Sequence, residues 1–312
     1  MKRIGIVGCG VSGLTCGIRL AEKGYAVEIL TREETPRTTS DVAGAFWYPY
    51  RVQPQDLVLP WAERSYREFA LLAEDPDSGV SVVPITHYYS EPPPEPWWTG
   101  CVGGLSRLDG ESLPGNFSHG IRYQTFLIET PLYMPYLRGR FGDLGGEVRL
   151  QNVEGLTALG ARYFAVVNCS GVWASQLAQD ASVYPIRGQN IRAQRPIGLP
   201  PSILDADGVA VICRSTDCII GGANEDGSWE LAPRDADRAL ILQRVSKLYP
   251  PLSAPDIIED RVGLRPGRPA VRVEAERQDG TLIVHNYGHG GAGFTLSWGC
   301  AEMVAELVET SY

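Results

Sequence analysis

Three glycines within six residues near the N-terminus constrain this chain more than any other feature. Residues 2–28 read KRIGIVGCGVSGLTCGIRLAEKGYAVE. A short apolar run, Ile4 to Val7, meets Gly8, Gly10 and Gly13, after which Leu14, Ile18 and Ala21 recur at helical spacing. Beyond Gly24 a second apolar run extends from Val27 to Leu30, so the pattern is a β-α-β unit. Each glycine has its own physical reason. Gly8 permits the tight turn out of the strand, Gly10 has no side chain to hold a pyrophosphate off the backbone, and Gly13 lets the helix lie close to the sheet. Val11 and Ser12 complete the turn, and the anion sits where the first N–H groups of the helix are unpaired. The stretch predicts a dinucleotide site and leaves NAD and FAD both open.

The chain has 312 residues, enough for one α/β domain or two interleaved ones. A formal charge of -9 and the lack of any Lys/Arg-rich stripe argue against a nucleic-acid surface. No run of about 18 apolar residues is present, and the apolar start leads into the ordered turn, so the expectation is a cytoplasmic protein without a membrane span or signal peptide. Seven cysteines (Cys9, Cys16, Cys101, Cys169, Cys213, Cys218, Cys300) lack CxxC spacing and read as buried free thiols. Four histidines without an HExxH or a Cys/His cluster predict no metal site. With no nucleophile elbow visible either, the reactive group of any enzyme built on this chain comes from a cofactor.

After the second strand, the tip reads Leu30, Thr31, Arg32, where an NAD-binding unit would place an acid; Glu33 and Glu34 come later. Thr38, Thr39 and Ser40 offer three consecutive hydroxyls, for a ligand or for a helix cap completed by Asp41. Ala43, Gly44 and Ala45 allow something large and flat to approach. Further elements are predicted as a helix over 61–74, strands over 80–89 and 117–124, and a helix from Thr125, as N-cap, to Arg140. A buried strand over 164–167 delivers Asn168 to Gly171, and a short helix starts at Trp173. A β-rich block over 183–221 is followed by a helix over 233–249 with Leu240, Ile241, Val245 and Leu248 on one face. Near the other end, a strand (Leu282 to His285) runs into Gly288, Gly290, Gly291 and Gly293 around His289, then into an apolar helix from Phe294. That repeats the physics of the N-terminal turn and predicts a second close backbone approach to the ligand. The fold class is α/β, a dinucleotide-binding Rossmann-like domain over 1–45, 146–182 and 262–312, interleaved with a mixed-sheet α+β substrate domain over 46–145 and 183–261.

GCGVSG at 8–13, TTSDVAGAFWYPY at 38–50, VVNCSGVWA at 166–174, RGQ at 187–189, GLRPGRP at 263–269 and HNYGHGGAGFTLSWGCA at 285–301 together resemble the FAD-dependent D-amino acid oxidase family, in order and approximate spacing along essentially the whole chain. The resemblance implies hydride transfer from the α-carbon of a D-amino acid to flavin N5. The imino acid then hydrolyses to a 2-oxo acid and ammonia, and O2 becomes H2O2. It further implies that Gly8, Gly10 and Gly13 hold the pyrophosphate, with Thr38, Thr39 and Ser40 along it, Val153 at the adenine and Arg32 near the ribose. Ala43, Gly44, Ala292, Gly293, Phe294 and Thr295 would lie against the flavin, beside Gly288 and Gly290. Arg265 matches the arginine that clamps the substrate carboxylate, and the Gly291 carbonyl an acceptor for its amine. A planar guanidinium binds a carboxylate through two parallel hydrogen bonds and so fixes the α-carbon. The alternative from the residues alone is that Arg265 and Arg268 pair with acids such as Glu274.

The departures are as informative. The family's lid carries two tyrosines, whereas the corresponding segment 202–222 is short, with Ala206 and Ala210 nearest those places. Tyr48 stands where a glutamine is common, and Tyr88, Cys213 and Arg214 are further candidates to line the pocket. Alternative functions are a related flavin amine oxidase or dehydrogenase acting on glycine, an N-methyl amino acid or a larger biosynthetic amine, and a redox-inactive FAD-binding protein. A homo-oligomer is compatible with the sequence, and Glu309–Tyr312 carry no peroxisomal tripeptide.

Overall fold

The computed structural model describes residues 2–110, 113–114, 117–206 and 208–311. Asp207, within the short segment 202–222, and Tyr312, at the end of the C-terminal stretch, lie outside the described residues. The strands are β1 (Arg3–Val7), β2 (Ala26–Thr31), β3 (Ala45–Phe46), β4 (Val80–Tyr89), β5 (Ser106–Asp109), β6 (His119–Ile128), β7 (Glu147–Leu150), β8 (Ala165–Asn168), β9 (Tyr184–Gln194), β10 (Ser202–Ala206), β11 (Val209–Cys213), β12 (Asp217–Asp226), β13 (Ile257–Gly267), β14 (Arg272–Gln278) and β15 (Thr281–Tyr287). The helices are α1 (Val11–Glu22), α2 (Thr39–Val42), α3 (Gln55–Leu72), α4 (Thr130–Asp143), α5 (Ala174–Leu177), α6 (Asp235–Leu248) and α7 (Gly293–Thr310).

A six-stranded sheet runs β14-β15-β8-β1-β2-β7, parallel throughout except for β14 on β15. Ile4, Ile6 and Val7 are buried because helices cover this sheet, as a parallel sheet requires. β1 lies between β2 and β8, so the chain leaves it in opposite directions and opens a crevice at the carboxyl ends of these strands. α7 packs against α1 and α3. At the α3 crossing, a Cβ on Gly299 would stand 2.2 Å from the Trp61 carbonyl oxygen, so only glycine admits that approach.

The nine-stranded mixed sheet runs β13-β9-β12-β11-β10-β4-β6-β3, with β5 added on β6. The strand alternation gives its middle two distinct faces. Ile191, Ala206, Val211 and Ile220 pack with Ile241 and Val245 of α6, while Asn190, Asp205, Ala210 and Gly221 face the crevice of the first sheet.

Several sequence expectations are corrected. Thr125 does not cap a helix; it lies inside β6, its hydroxyl donating to the Trp47 carbonyl at 2.7 Å, and the helix begins at Thr130 with Pro131 in the first turn, where a missing N–H costs nothing. Leu240 is exposed, so the buried stripe of α6 is Ile241, Val245 and Leu248. Cys213 and Cys218 are not free thiols. They stand directly opposite on β11 and β12, Cα atoms 4.1 Å apart, and form a disulfide, whereas Cys9, Cys16, Cys101, Cys169 and Cys300 are free. Among the described residues no helix is long and apolar enough to cross a membrane, and no group of three or more His, Cys, Asp or Glu could hold a metal.

Candidate active site

A cavity of about 750 Å³ lies between the carboxyl ends of β1 and β8 and the open face of the second sheet. Its first end is built on the N-terminal turn. Gly8, Gly10, Val11 and Ser12 form the wall where α1 begins, and Gly10 at the N-cap supplies no side-chain cap. Gly13 lies behind the turn: a Cβ there would stand 1.9 Å from the Gly8 carbonyl oxygen. Ser40 accepts a hydrogen bond from the Val11 N–H at 3.0 Å, so one of the three consecutive hydroxyls ties α2 to the mouth of α1. Thr38 and Thr39 also line the cavity, and Asp41 accepts from the Thr38 N–H at 2.8 Å and its hydroxyl at 2.6 Å. The cap and the ligand wall are thus served by the same segment.

Beyond this turn the Arg32 guanidinium lies over the Trp173 ring, 4.1 Å from its centroid, with Glu33 and Val153 on the adjacent wall. At the other end Ala43, Gly44, Gly290, Gly291, Gly293 and Phe294 form the walls. The glycines lie against the chain at 50–51: a Cβ on Gly290, whose φ is +54°, would meet the Arg51 carbonyl oxygen at 2.2 Å, and one on Gly291 would meet the Tyr50 ring at 2.4 Å. Thr295 fastens this contact, its hydroxyl accepting from the Tyr48 N–H at 3.0 Å and donating to the Tyr48 carbonyl at 2.8 Å. Thr295 and Ala292 are buried behind the wall, and Gly288 packs on the Arg268 side chain. α7, like α1, starts without a side-chain cap.

FAD fits these residues. Two helix N-termini open on one cavity: at α1 Ser40 holds the Val11 N–H and the N–H groups that follow are offered to a diphosphate, and at α7 the helix gives a favourable field for the electron-rich edge of a ring system. The volume is within the range of about 300–1,000 Å³ usual for ligand sites.

Arg265 projects from β13 into the cavity wall. Gly188 on the neighbouring strand is the floor under its guanidinium, since a Cβ there would stand 1.9 Å from Nη1. Nη1 donates to Asn224 Oδ1 at 2.8 Å, and Asn224 Nδ2 donates to the Tyr50 hydroxyl at 3.3 Å. Among the described residues no carboxylate pairs with Arg265: Glu274 is taken by Arg272, and Arg268 by Asp180. Burial lowers the Arg265 pKa below the usual arginine value, with nearby Arg51 adding to the effect and Tyr50 opposing it. The Tyr48 ring lines the same cavity, and burial, then Asp205, push its hydroxyl well above the ordinary tyrosine range.

His289 is buried in the glycine run, its Nε2 2.9 Å from Asn286 Oδ1. Burial alone lowers it from 6.5 to about 4. The unfolded chain therefore takes up this proton before the folded one as pH falls. The stabilisation is complete above pH 6.5 and is lost between there and about 4, to a total of about 3 kcal/mol. Urea midpoints at pH 7 and pH 5 are expected to fall with acid in the parent protein and to fall less in His289→Asn.

Three expected lining residues stand elsewhere. Tyr88 stacks on Phe117, Cys213 is in the disulfide, and Arg214 is buried and locked by Asp217 at 2.6 and 2.7 Å. Of the two alanines in the short segment, Ala210 lines the cavity and Ala206 faces α6. Asp205, Asn224, Tyr50 and Trp173 are lining residues that the sequence reasoning missed. Gly221-Gly222 was the signal for Asn224. Gly222 has φ +146°, and the register shift between Gly221 and Ala223 reverses the alternation, turning Asn224 toward the cavity.

Residues 3–307 match the family model described as FAD dependent oxidoreductase. The chain is 46% identical to D-amino-acid oxidase from Rubrobacter xylanophilus over 98% of its own length and 96% of that protein's. It is 34% identical to D-aspartate oxidase from Homo sapiens, over 98% and 94% of the two chains. The crystal structure of glycine oxidase from Geobacillus kaustophilus superposes with a TM-score of 0.83 at 20% identity, covering 99% of this chain and 95% of that one, which is a likeness of fold. With its FAD cradle and relatives aligned along nearly the whole length, the chain belongs to the FAD-dependent D-amino acid oxidase family and is a flavoenzyme.

Proposed function

We propose that the protein oxidises a D-amino acid at its α-carbon, with the first sheet's unit holding FAD and the second sheet's unit the substrate. Arg265, a cation in the cavity wall with no acidic partner among the described residues, is the observation that carries this reading. It takes the α-carboxylate through two parallel N–H groups, which sets the α-carbon in place relative to the ring system. The Gly291 carbonyl accepts from the amine, and the Tyr48 ring closes the pocket on the side of β4. FAD supplies the two-electron acceptor for the α-hydride and is reoxidised by O2, so the products are an imino acid, which hydrolyses to a 2-oxo acid and ammonia, and H2O2. The protein's own contribution is alignment and exclusion of water, for which it needs no nucleophile.

Anaerobic mixing with paired D- and L-amino acids, glycine, sarcosine and bulky amines tests the reading. Bleaching of the flavin absorbance by D-amino acids and not their L-partners is the expected result, followed by stoichiometric H2O2 on admitting air. Bleaching by glycine, sarcosine or bulky amines alone would move the assignment to those substrates.

A further inference from the structure

Asp205 brings a carboxylate to the far side of the same cavity. It lies on β10 on the face opposite the α6 core, and its side chain remains 35% exposed. Oδ2 is 3.0 Å from His87 Nδ1, and Oδ1 has no hydrogen-bond partner among the described residues. The His87 ring is buried, and its Nε2 is 3.0 Å from the Tyr123 hydroxyl. A carboxylate only accepts, so Nδ1 carries the proton and Nε2 accepts from Tyr123, a tautomer assigned by its partners. The relay holds the carboxylate rigidly, with one oxygen free toward the cavity. The Tyr48 ring, centred 4.8 Å from the His87 ring, supplies an aromatic wall beside it.

Between Asp205 and the carboxylate clamp the floor is bare. Asp205 faces Ala210 across the β10–β11 ladder, and Ala210 faces Gly221 across β11–β12. Asn224, which receives the Arg265 guanidinium, is further along β12, two strands from Asp205. Two strand spacings across the sheet are about 10 Å, and the step from Gly221 to Asn224 along β12 adds to that, so the span suits a long side chain and is too far for that of alanine or serine. A carboxylate beside an aromatic ring is the chemistry that receives a guanidinium or an ammonium.

We propose that Asp205 selects substrates whose side chain is long and ends in a cation, the D-arginine and D-lysine class, with the α-carboxylate on Arg265 and the side chain lying over Ala210 and Gly221. This rests on the D-amino acid reading of the site. Asp205 also sets the pocket against D-aspartate and D-glutamate, whose side-chain carboxylates would approach a fixed like charge.

The test compares D-arginine with D-citrulline, its uncharged isostere, and with D-glutamate in steady-state oxidation by the holoenzyme. In parallel, 5-guanidinopentanoate and 5-ureidopentanoate, which have no oxidisable amine, are titrated calorimetrically into the same protein. D-Arginine is expected to exceed D-citrulline in kcat/KM by about tenfold or more, with D-glutamate poorest, and the guanidino acid to bind tighter by a similar factor. Asp205→Asn keeps an acceptor for His87 and is expected to bring both ratios close to one. Ala210→Tyr, which leaves Asp205 and His87 in place, is expected to lower the D-arginine to D-alanine ratio by about tenfold. Equal values for the charged and uncharged partners in the parent protein, or an Asp205→Asn loss shared equally by both, overturns the assignment. If no D-amino acid is oxidised, the D-amino acid reading fails by itself, and the calorimetric pair still decides whether Asp205 receives the cation.

Discussion

In Arg265→Ala, kcat/KM for a carboxylate-bearing substrate is expected to fall about 10³-fold, with KM raised at least about tenfold, while FAD stays bound. Removing one partner of a desolvated charge pair costs about 2–5 kcal/mol, because the carboxylate enters the cavity with nothing to replace its water. Arg265 makes this loss a functional one. Among the described residues its only side-chain partner is Asn224, so the folded protein without substrate loses one hydrogen bond and no ion pair. Arg214 is the contrast: buried and bidentate on Asp217, it would leave that buried carboxylate to Arg192 alone if truncated. Arg265→Ala should therefore keep the parental melting temperature and flavin absorbance. Arg265→Lys should recover only part of the rate, since an ammonium restores the charge without the two parallel N–H groups. Unchanged kinetics in Arg265→Ala would remove the guanidinium from the substrate site.

What was legible in the sequence and what was not divides along the origin of the constraint. The turns at Gly8–Gly13 and Gly288–Gly293 each follow an apolar strand and open an apolar helix, so each announces itself in a short run, even though the contacts that demand glycine reach distant residues such as Cys169, Tyr50 and Arg51. Arg265 was legible because GLRPGRP lies in a recognisable order with the last glycine run. Asp205 and Asn224 were not, because which face a strand residue takes depends on register. β10 puts Asp205 on the cavity face and Ala206 on the α6 face only once its ladder with β11 is set, and Asn224 reverses face at a bulge. The Cys213–Cys218 pair has the same origin, since only the β11–β12 register puts the two thiols opposite each other. Thr125 misled for a different reason. A threonine followed by an apolar run and prolines suits a cap, but pairing along ten residues with β4 carried β6 on to Ile128 and moved the helix start to Thr130.

The N-terminal turn yields the other large effect. Gly13→Ala is expected to weaken FAD binding by about 100-fold or more, so that the variant purifies largely colourless. The added methyl would sit 1.9 Å from the Gly8 carbonyl oxygen and 2.9 Å from its carbon, both backbone atoms that no rotamer change can move. Nor can the Gly8 carbonyl retreat freely, because Gly8 holds φ +107° and its N–H donates to the Leu30 carbonyl at 2.9 Å in the adjoining strand. Relief comes only by lifting α1 away from β1, which takes the N–H groups of Ser12 and Gly13 off the position where the diphosphate needs them. Overpacking of this kind costs about 1–3 kcal/mol in the protein itself, and the displaced anion site adds the loss in affinity. Gly24→Ala separates the two contributions. Its φ of +84° strains an alanine, yet nothing lies within 4 Å of the new methyl, and the residue sits at the opposite end of α1. That variant is expected to lose stability and keep FAD, measured by thermal melting and by the flavin-to-protein absorbance ratio. A Gly13→Ala protein that retained its flavin as Gly24→Ala does would mean that α1 tolerates the shift and that its N-terminus does not set the cofactor affinity.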